Sequence, residues 1–181
     1  MAKILVPLAK GFEEIEAVTI IDILRRANNE VTTCSLGSSL EVLGAHNITI
    51  HADESIDISK NRTFDMIVLP GGGEGTQNLA SNESVQTLLK EFKQNNKFIA
   101  AICAAPYALH TANVLNTNYT CYPSFEEKIS LKGYSTQSVV IDEKVITSRG
   151  PATAMLFSLE LVKVLNGLEV YVQLKSDLLL N

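Results

Sequence analysis

The 181-residue sequence has no cluster of lysine and arginine, and its formal net charge is −5. That balance argues against nucleic acid or an anionic membrane as the main partner. No apolar run approaches the roughly 18 residues of a transmembrane helix. The N-terminal "KILVPLA" is too short for the apolar core of a signal peptide and runs straight into "KGFEE". Cysteine is sparse and odd in number, three residues, which suits a reducing cytoplasm better than a disulfide framework. Histidine is equally scarce. His46, His51 and His110 show no metal-ligand spacing with the cysteines, so no metal site is expected. Repeats, low-complexity tracts and linkers are missing too. What is left, 46% hydrophobic and 19% charged residues, describes a soluble globule: one domain over residues 1–181 with a substantial core.

Along this chain, apolar runs alternate with helical patterns. "KILVPLA", "EVTTCSL", "FDMIVLP" and "FIAAI" read as buried strands. "EVLGAHNITIHAD" reads as a small hairpin, and "YSTQSVVIDEKVITS" as a second one turning at Asp142–Glu143. Helices are expected at "EEIEAVTIIDILRRA", at "SNESVQTLLKEFKQN" with Leu88, Leu89 and Phe92 on one stripe, and at "APYALHTANVL". Two more are "ATAMLFSLELVKVLNG", stopped by Gly167, and "LEVYVQLKSDLLL". Regular alternation implies right-handed crossovers and an α/β sandwich, a mainly parallel sheet with helices on both faces. Such sheets bind ligands at the carboxyl ends of their strands.

Cys103 stands at one of these ends, between "FIAAI" and the following helix. A nucleophile on a sharp strand-to-helix turn needs small residues two positions to either side. Ala101 and Ala105 meet that steric demand. A sulfur there is expected to be exposed on a strained bend, with the helix N-terminus favouring its thiolate, and Pro106 fits the first turn. Cys34 reads as a strand core residue, whereas Cys121 is undecided by its setting.

No histidine is well placed to serve that sulfur. His110 is about 10 Å along the same helix, and His46 and His51 read as hairpin surface. A carboxyl group is the better partner. Ile20, Ile23, Leu24 and Ala27 form the apolar stripe of the first helix, and Glu16 lies on it. Glu13 suits the helix cap, and Glu14 should project to the other side with Arg25. A carboxyl on a buried face is costly unless protonated or paired, so Glu16 is expected to be a neutral acid beside the thiolate. The glycine turn "LPGGGEG", including Gly71 and Gly72, lacks the Lys-Ser/Thr of a phosphate loop. Its backbone amides are better suited to approach the sulfur and stabilise negative charge.

In order along the chain, "LAKGFEEIEAV", "IVLPGGGEG", "AAICAAP", "YPSFEEKI" and "ITSRGPATAMLFSLELV" resemble the Parkinsonism-associated deglycase (DJ-one) branch of the ThiJ/PfpI superfamily over essentially the whole length. The resemblance implies a flavodoxin-like three-layer sandwich and a homodimer. It implies that Cys103 is a reactive, oxidation-prone cysteine, that Glu16 is the protonated acid beside it, and that Gly72 and Ala104 supply backbone amides. Gly71, Tyr122, Arg149, Gly150 and Pro151 then line the pocket. Tyr122 stands where some relatives carry histidine, and His46 where an arginine near the dimer interface is common. Ala104 replaces the histidine of the protease branch. The implied activity is a cofactor-independent glyoxalase or deglycase acting on methylglyoxal or its adducts, protecting against carbonyl and oxidative stress. The alternative is a redox-sensing stress protein or chaperone whose cysteine is oxidised to sulfinate.

Overall fold

The computed structural model describes residues 1–180. Strand β1 (Lys3–Leu8) leads to helix α1 (Glu14–Arg26) and β2 (Glu30–Ser35). The hairpin β3 (Glu41–Leu43) and β4 (Thr49–His51) follows, then β5 (Glu54–Ser55), α2 (Ile56–Ser59) and β6 (Met66–Leu69). Next come α3 (Gly73–Ser81), α4 (Glu83–Gln94), β7 (Phe98–Ile102) and α5 (Pro106–Thr111). A small annex holds β8 (Asn118–Tyr119), α6 (Phe125–Ile129) and β9 (Gly133–Tyr134). The chain closes with β10 (Val139–Asp142), β11 (Val145–Ser148), α7 (Ala154–Asn166) and α8 (Leu168–Asp177).

The main sheet runs in the order β10-β11-β7-β6-β1-β2-β5 and is parallel except for β10. Strand side chains alternate between faces, and here that alternation builds two cores. Ile4, Val6, Leu8, Met66, Val68, Ala100 and Ile102 face α1 and α7, where Ile20, Ile23, Leu24, Phe157 and Leu161 meet them. Leu5, Ile67, Leu69, Ile99 and Ala101 face the opposite layer, with Leu79 of α3, Leu89 and Phe92 of α4 and Leu109 of α5. Burying each large apolar side chain contributes roughly 1.5–3 kcal/mol. The result is the expected α/β sandwich of three layers.

Three local expectations need correction. The helix after Cys103 ends at Thr111, because the chain turns through Asn113 at φ 57°. The second hairpin turns one residue later than expected: Asp142 still pairs with Val145, and Glu143 takes the left-handed conformation. The glycine turn is also a helix start, since α3 begins at Gly73 despite the poor helix propensity of glycine, and Thr76 and Leu79 anchor it in the interior.

Candidate functional site

The order of the sheet changes direction between β1 and β6, and sheets of this kind bind ligands at the carboxyl ends of the strands beside such a switch. Residues from three neighbouring loops converge there. Gly71 follows β6, Cys103 follows β7, and Glu16 comes from the first turn of α1, which follows β1.

Cys103 has φ 64°, a left-handed conformation that costs a non-glycine residue about 1–3 kcal/mol. The surroundings hold it there. Its amide donates to the Ser148 carbonyl at 2.9 Å, its carbonyl accepts from the Tyr122 amide at 2.7 Å, and the Ala105 amide donates to the Ile102 carbonyl at 3.0 Å. Ala104 and Ala105 are buried, so larger side chains would have no room beside the bend. Cys103 itself retains only 7% of its surface, so the strained bend is as expected but the exposed sulfur is not: packing around the bend nearly buries it.

Glu16 is 0% exposed. Its Oε2 accepts the Gly71 amide at 2.8 Å, and Oε1 has no hydrogen-bond partner among the described residues. Glu13 caps α1, accepting the Glu16 amide at 2.8 Å, while its own amide donates to the Gly71 carbonyl at 3.0 Å. Both backbone groups of Gly71 are thus clipped to the start of α1. A Cβ on Gly71 would come within 2.6 Å of the Cys103 Cβ and 2.7 Å of the Glu16 Oε2, so the acid and the thiol flank it closely.

The ionisation of the pair follows from this geometry. Burial pushes the Glu16 carboxyl up to about 7, opposed by its hydrogen bonds with Cys103 and the Gly71 amide. Burial also pushes the Cys103 thiol well above its ordinary value, aided by the charge of Glu16 and its hydrogen bond, while the Gly72 and Ala104 amides pull the other way. The sequence-based expectation of a thiolate favoured by a helix terminus is therefore corrected. Helix α5 is only six residues long, and burial outweighs the amides. Two acids so close lose their protons as a pair: the first leaves near the raised Glu16 value of about 7, and the second is held by the charge the first leaves behind.

The remaining expected residues are placed unequally. Tyr122 is 47% exposed, and its ring lies against Gly150, where a Cβ would come within 3.3 Å of it. Arg149 directs its guanidinium to the Tyr134 hydroxyl at 3.1 Å. Pro151 begins a single 3-10 turn whose Thr153 hydroxyl bonds the Gly150 amide and carbonyl and the Ser148 hydroxyl. That hydroxyl network, which ties the 148–153 loop to the strand beside Cys103, escaped the sequence reading. Cys34 and Cys121 are both fully buried, Cys34 in the main core and Cys121 against Tyr119 and Ile129.

Glu14 is where expectation fails most clearly. Instead of projecting away with Arg25, it is buried under the tip of the β3–β4 hairpin and bonded to His46 and Ile48. Metal-type ligand atoms of Glu13, Glu14 and His46 lie within 4.8 Å of one another. Both Glu14 oxygens and Oε2 of Glu13 already serve protein donors, so the cluster is satisfied by hydrogen bonds. A cavity of about 690 Å³ lies beside the ends of β1 and β2, lined by Lys10, Ser35, Leu43 and Asn78, and does not include Cys103 or Glu16.

Gly72 has φ 98°, and an added Cβ would collide with the Gly11 carbonyl oxygen. Gly72→Ala is expected to destabilise the fold by about 3 kcal/mol or more, from backbone strain plus overpacking, read as a lower denaturant midpoint at unchanged slope.

A model of the DJ-1/PfpI family matches residues 2–164. The chain belongs to the DJ-1/PfpI family. It is similar to the protein called glutathione-independent glyoxalase DJR-1.2 of Caenorhabditis elegans, with 37% identity over 93% of this chain and 90% of that one. DJ-1 homolog A of Arabidopsis thaliana is 41% identical over 95% of this chain, which spans only 44% of the plant protein's length. Among solved structures, DJ-1beta of Drosophila melanogaster superposes with a TM-score of 0.96 at 35% identity, covering 99% of this chain and 98% of the fly protein. The flavodoxin-like sandwich is thus shared with DJ-1 structures. No described helix is long and apolar enough to cross a membrane.

Proposed function

We propose that this DJ-1/PfpI chain is a cofactor-independent glyoxalase, converting methylglyoxal or a related small α-oxoaldehyde to its hydroxy acid, with activity toward the corresponding adducts. The observation that carries the reading is a buried acid of raised pKa clipped against a thiol on a strained bend, both beside the Gly71–Gly72 turn. The name of the C. elegans relative supports the substrate class.

In this reading the singly ionised Cys103–Glu16 pair supplies the nucleophile. The sulfur adds to the aldehyde carbon as the carbonyl π electrons move to oxygen, where the Gly72 and Ala104 amides stabilise the charge. That oxygen takes the proton held by Glu16 to give a hemithioacetal, which leaves Glu16 as a carboxylate. The Glu16 carboxylate removes the proton from the former aldehyde carbon and returns it to the neighbouring carbon, while the hydroxyl proton of the hemithioacetal passes to the former ketone oxygen; the product is a thioester of the hydroxy acid. Water adds to the thioester, the C–S bond breaks, and the hydroxy acid leaves with the thiol restored. The net change is aldehyde plus water to hydroxy acid, with no external oxidant or reductant.

The reading includes a cytoplasmic homodimer of one-domain chains. Ile15 and Val18 on α1 and Ile48 on the hairpin tip, all more than half exposed or half exposed, support an apolar contact between copies. In glutathione-free buffer, proton NMR is expected to show one lactate formed for each methylglyoxal consumed. Disappearance of methylglyoxal without lactate, leaving only adducted protein, would contradict the assignment.

A further inference from the structure

Glu14 is 5% exposed although the apolar stripe of α1 does not require it inside. The hairpin tip wraps its carboxylate. The His46 and Ile48 amides donate to Oε1 at 2.6 and 3.4 Å, and His46 Nδ1 lies 2.8 Å from Oε2. Gly44 makes room, since a Cβ there would collide with Oε1. Within the single chain the His46 side chain is 71% exposed.

The same backbone reaches the thiol site. The Gly11 amide donates to the Leu43 carbonyl at 2.8 Å, and the Ala45 amide to the Phe12 carbonyl at 2.8 Å. One residue further, Glu13 holds the Gly71 carbonyl and the Glu16 amide. Hairpin tip, first turn of α1 and the Gly71–Glu16 clip form one hydrogen-bonded frame.

We propose that His46 is a pH-sensitive positioning residue, whose imidazolium clamps the hairpin tip onto Glu14 and so holds Glu16 in place beside Gly71 and Cys103. Within the chain, the ionisable groups facing the ring are Glu14, at 2.8 Å, and Glu13, at 3.9 Å; both attract its charge. The hydrogen bond to Glu14 and then its charge raise the His46 pKa above the ordinary imidazole value. Burial pushes Glu14 upward, but its bonds to His46 and Ile48 outweigh this and hold it below the usual carboxylate range. A raised folded-state pKa gives stabilisation that is complete below the unfolded value and lost as pH rises through the folded one. The clamp therefore loosens on the alkaline side as His46 deprotonates, and again in acid when Glu14 takes a proton.

The inference rests on Cys103 being the reactive thiol of the proposed function, but not on turnover of methylglyoxal, so the test is alkylation. Second-order rates of Cys103 with iodoacetamide are measured by peptide mass from pH 5.5 to 9. The proteins are wild type, His46→Asn, which keeps a donor near the Nδ1 position without a titrating charge, and His46→Ala. The His46 titration is followed by NMR. The wild-type to His46→Asn rate ratio cancels the ionisation of the Cys103–Glu16 pair itself. It is expected to be about twofold or more below the His46 pKa and to fall to one above it, tracking the NMR curve. His46→Ala should be slower than His46→Asn throughout. Should His46→Ala fail to fold, Glu14→Gln, which keeps an acceptor but ends the ion pair, must show the same pH-dependent ratio to wild type. A ratio that stays flat across the His46 titration would overturn the proposal, whether or not methylglyoxal is turned over.

Discussion

Cys103→Ser lowers kcat/KM for methylglyoxal by about 10³-fold or more, because removing an enzyme nucleophile abolishes the covalent route that every later step depends on. Serine keeps the shape but not the acidity. The singly ionised pair can place its charge on a sulfur of Cys103, whereas a hydroxyl gives up its proton at far higher pH and needs a strong base. Histidine does not supply one, since the groups that bear on the ionisation of Cys103 are Glu16 and the Gly72 and Ala104 amides. The variant should fold as wild type does, because the bend is held by backbone bonds to Ser148 and Tyr122 that the substitution leaves in place. The check is steady-state kinetics alongside a thermal melt. A loss below tenfold in a normally folded variant would remove Cys103 from the chemistry.

Glu16→Gln lowers kcat by about 10²–10⁴-fold with a smaller effect on KM, the range expected for loss of a group that transfers protons. The amide can still accept the Gly71 N–H, so the clip between α1 and the glycine turn survives. The same variant should be more stable than wild type at pH 8. Glu16 has a folded-state value of about 7 against 4.5 for the free side chain. The folded state therefore keeps this proton to higher pH than the unfolded chain. Its stabilising contribution is complete below 4.5 and is lost as pH rises through about 7. Removing the buried charge recovers about 1–3 kcal/mol at pH 8 and little at pH 4, by denaturant titration at the two values. Lower activity with higher stability is the mark of a residue kept for chemistry. Lower activity with lower stability at pH 8 would make Glu16 a structural acid.

The parts of this site that are legible in the sequence are those fixed by short-range sterics and periodicity. The alternation of Ile4, Val6 and Leu8 against Leu5 places β1 between two helical layers. Ala101 and Ala105 flank Cys103 at the spacing a sharp bend requires, and Glu16 falls on the stripe of Ile20, Ile23 and Leu24. Glu14 is not legible, because its burial is decided by a hairpin tip more than 30 positions away, where Gly44 leaves a gap that only the folded chain reveals. Nor does the sequence give the ionisation of Cys103. The bend is local, but the burial that raises the thiol comes from packing across several elements. Arg149 shows the same limit of pattern reading: its loop lies beside the site, yet its guanidinium is committed to Tyr134.

The most direct test of the account is the pH dependence of Cys103 alkylation in the wild-type protein. A pair that releases its first proton as a unit gives a rate that rises to a plateau with a midpoint near the Glu16 value of about 7. A thiol that ionises by itself, merely raised by burial, gives a rate that keeps climbing tenfold per pH unit through pH 10. The plateau is the predicted result, and the unbroken climb would contradict the shared proton on which the mechanism depends.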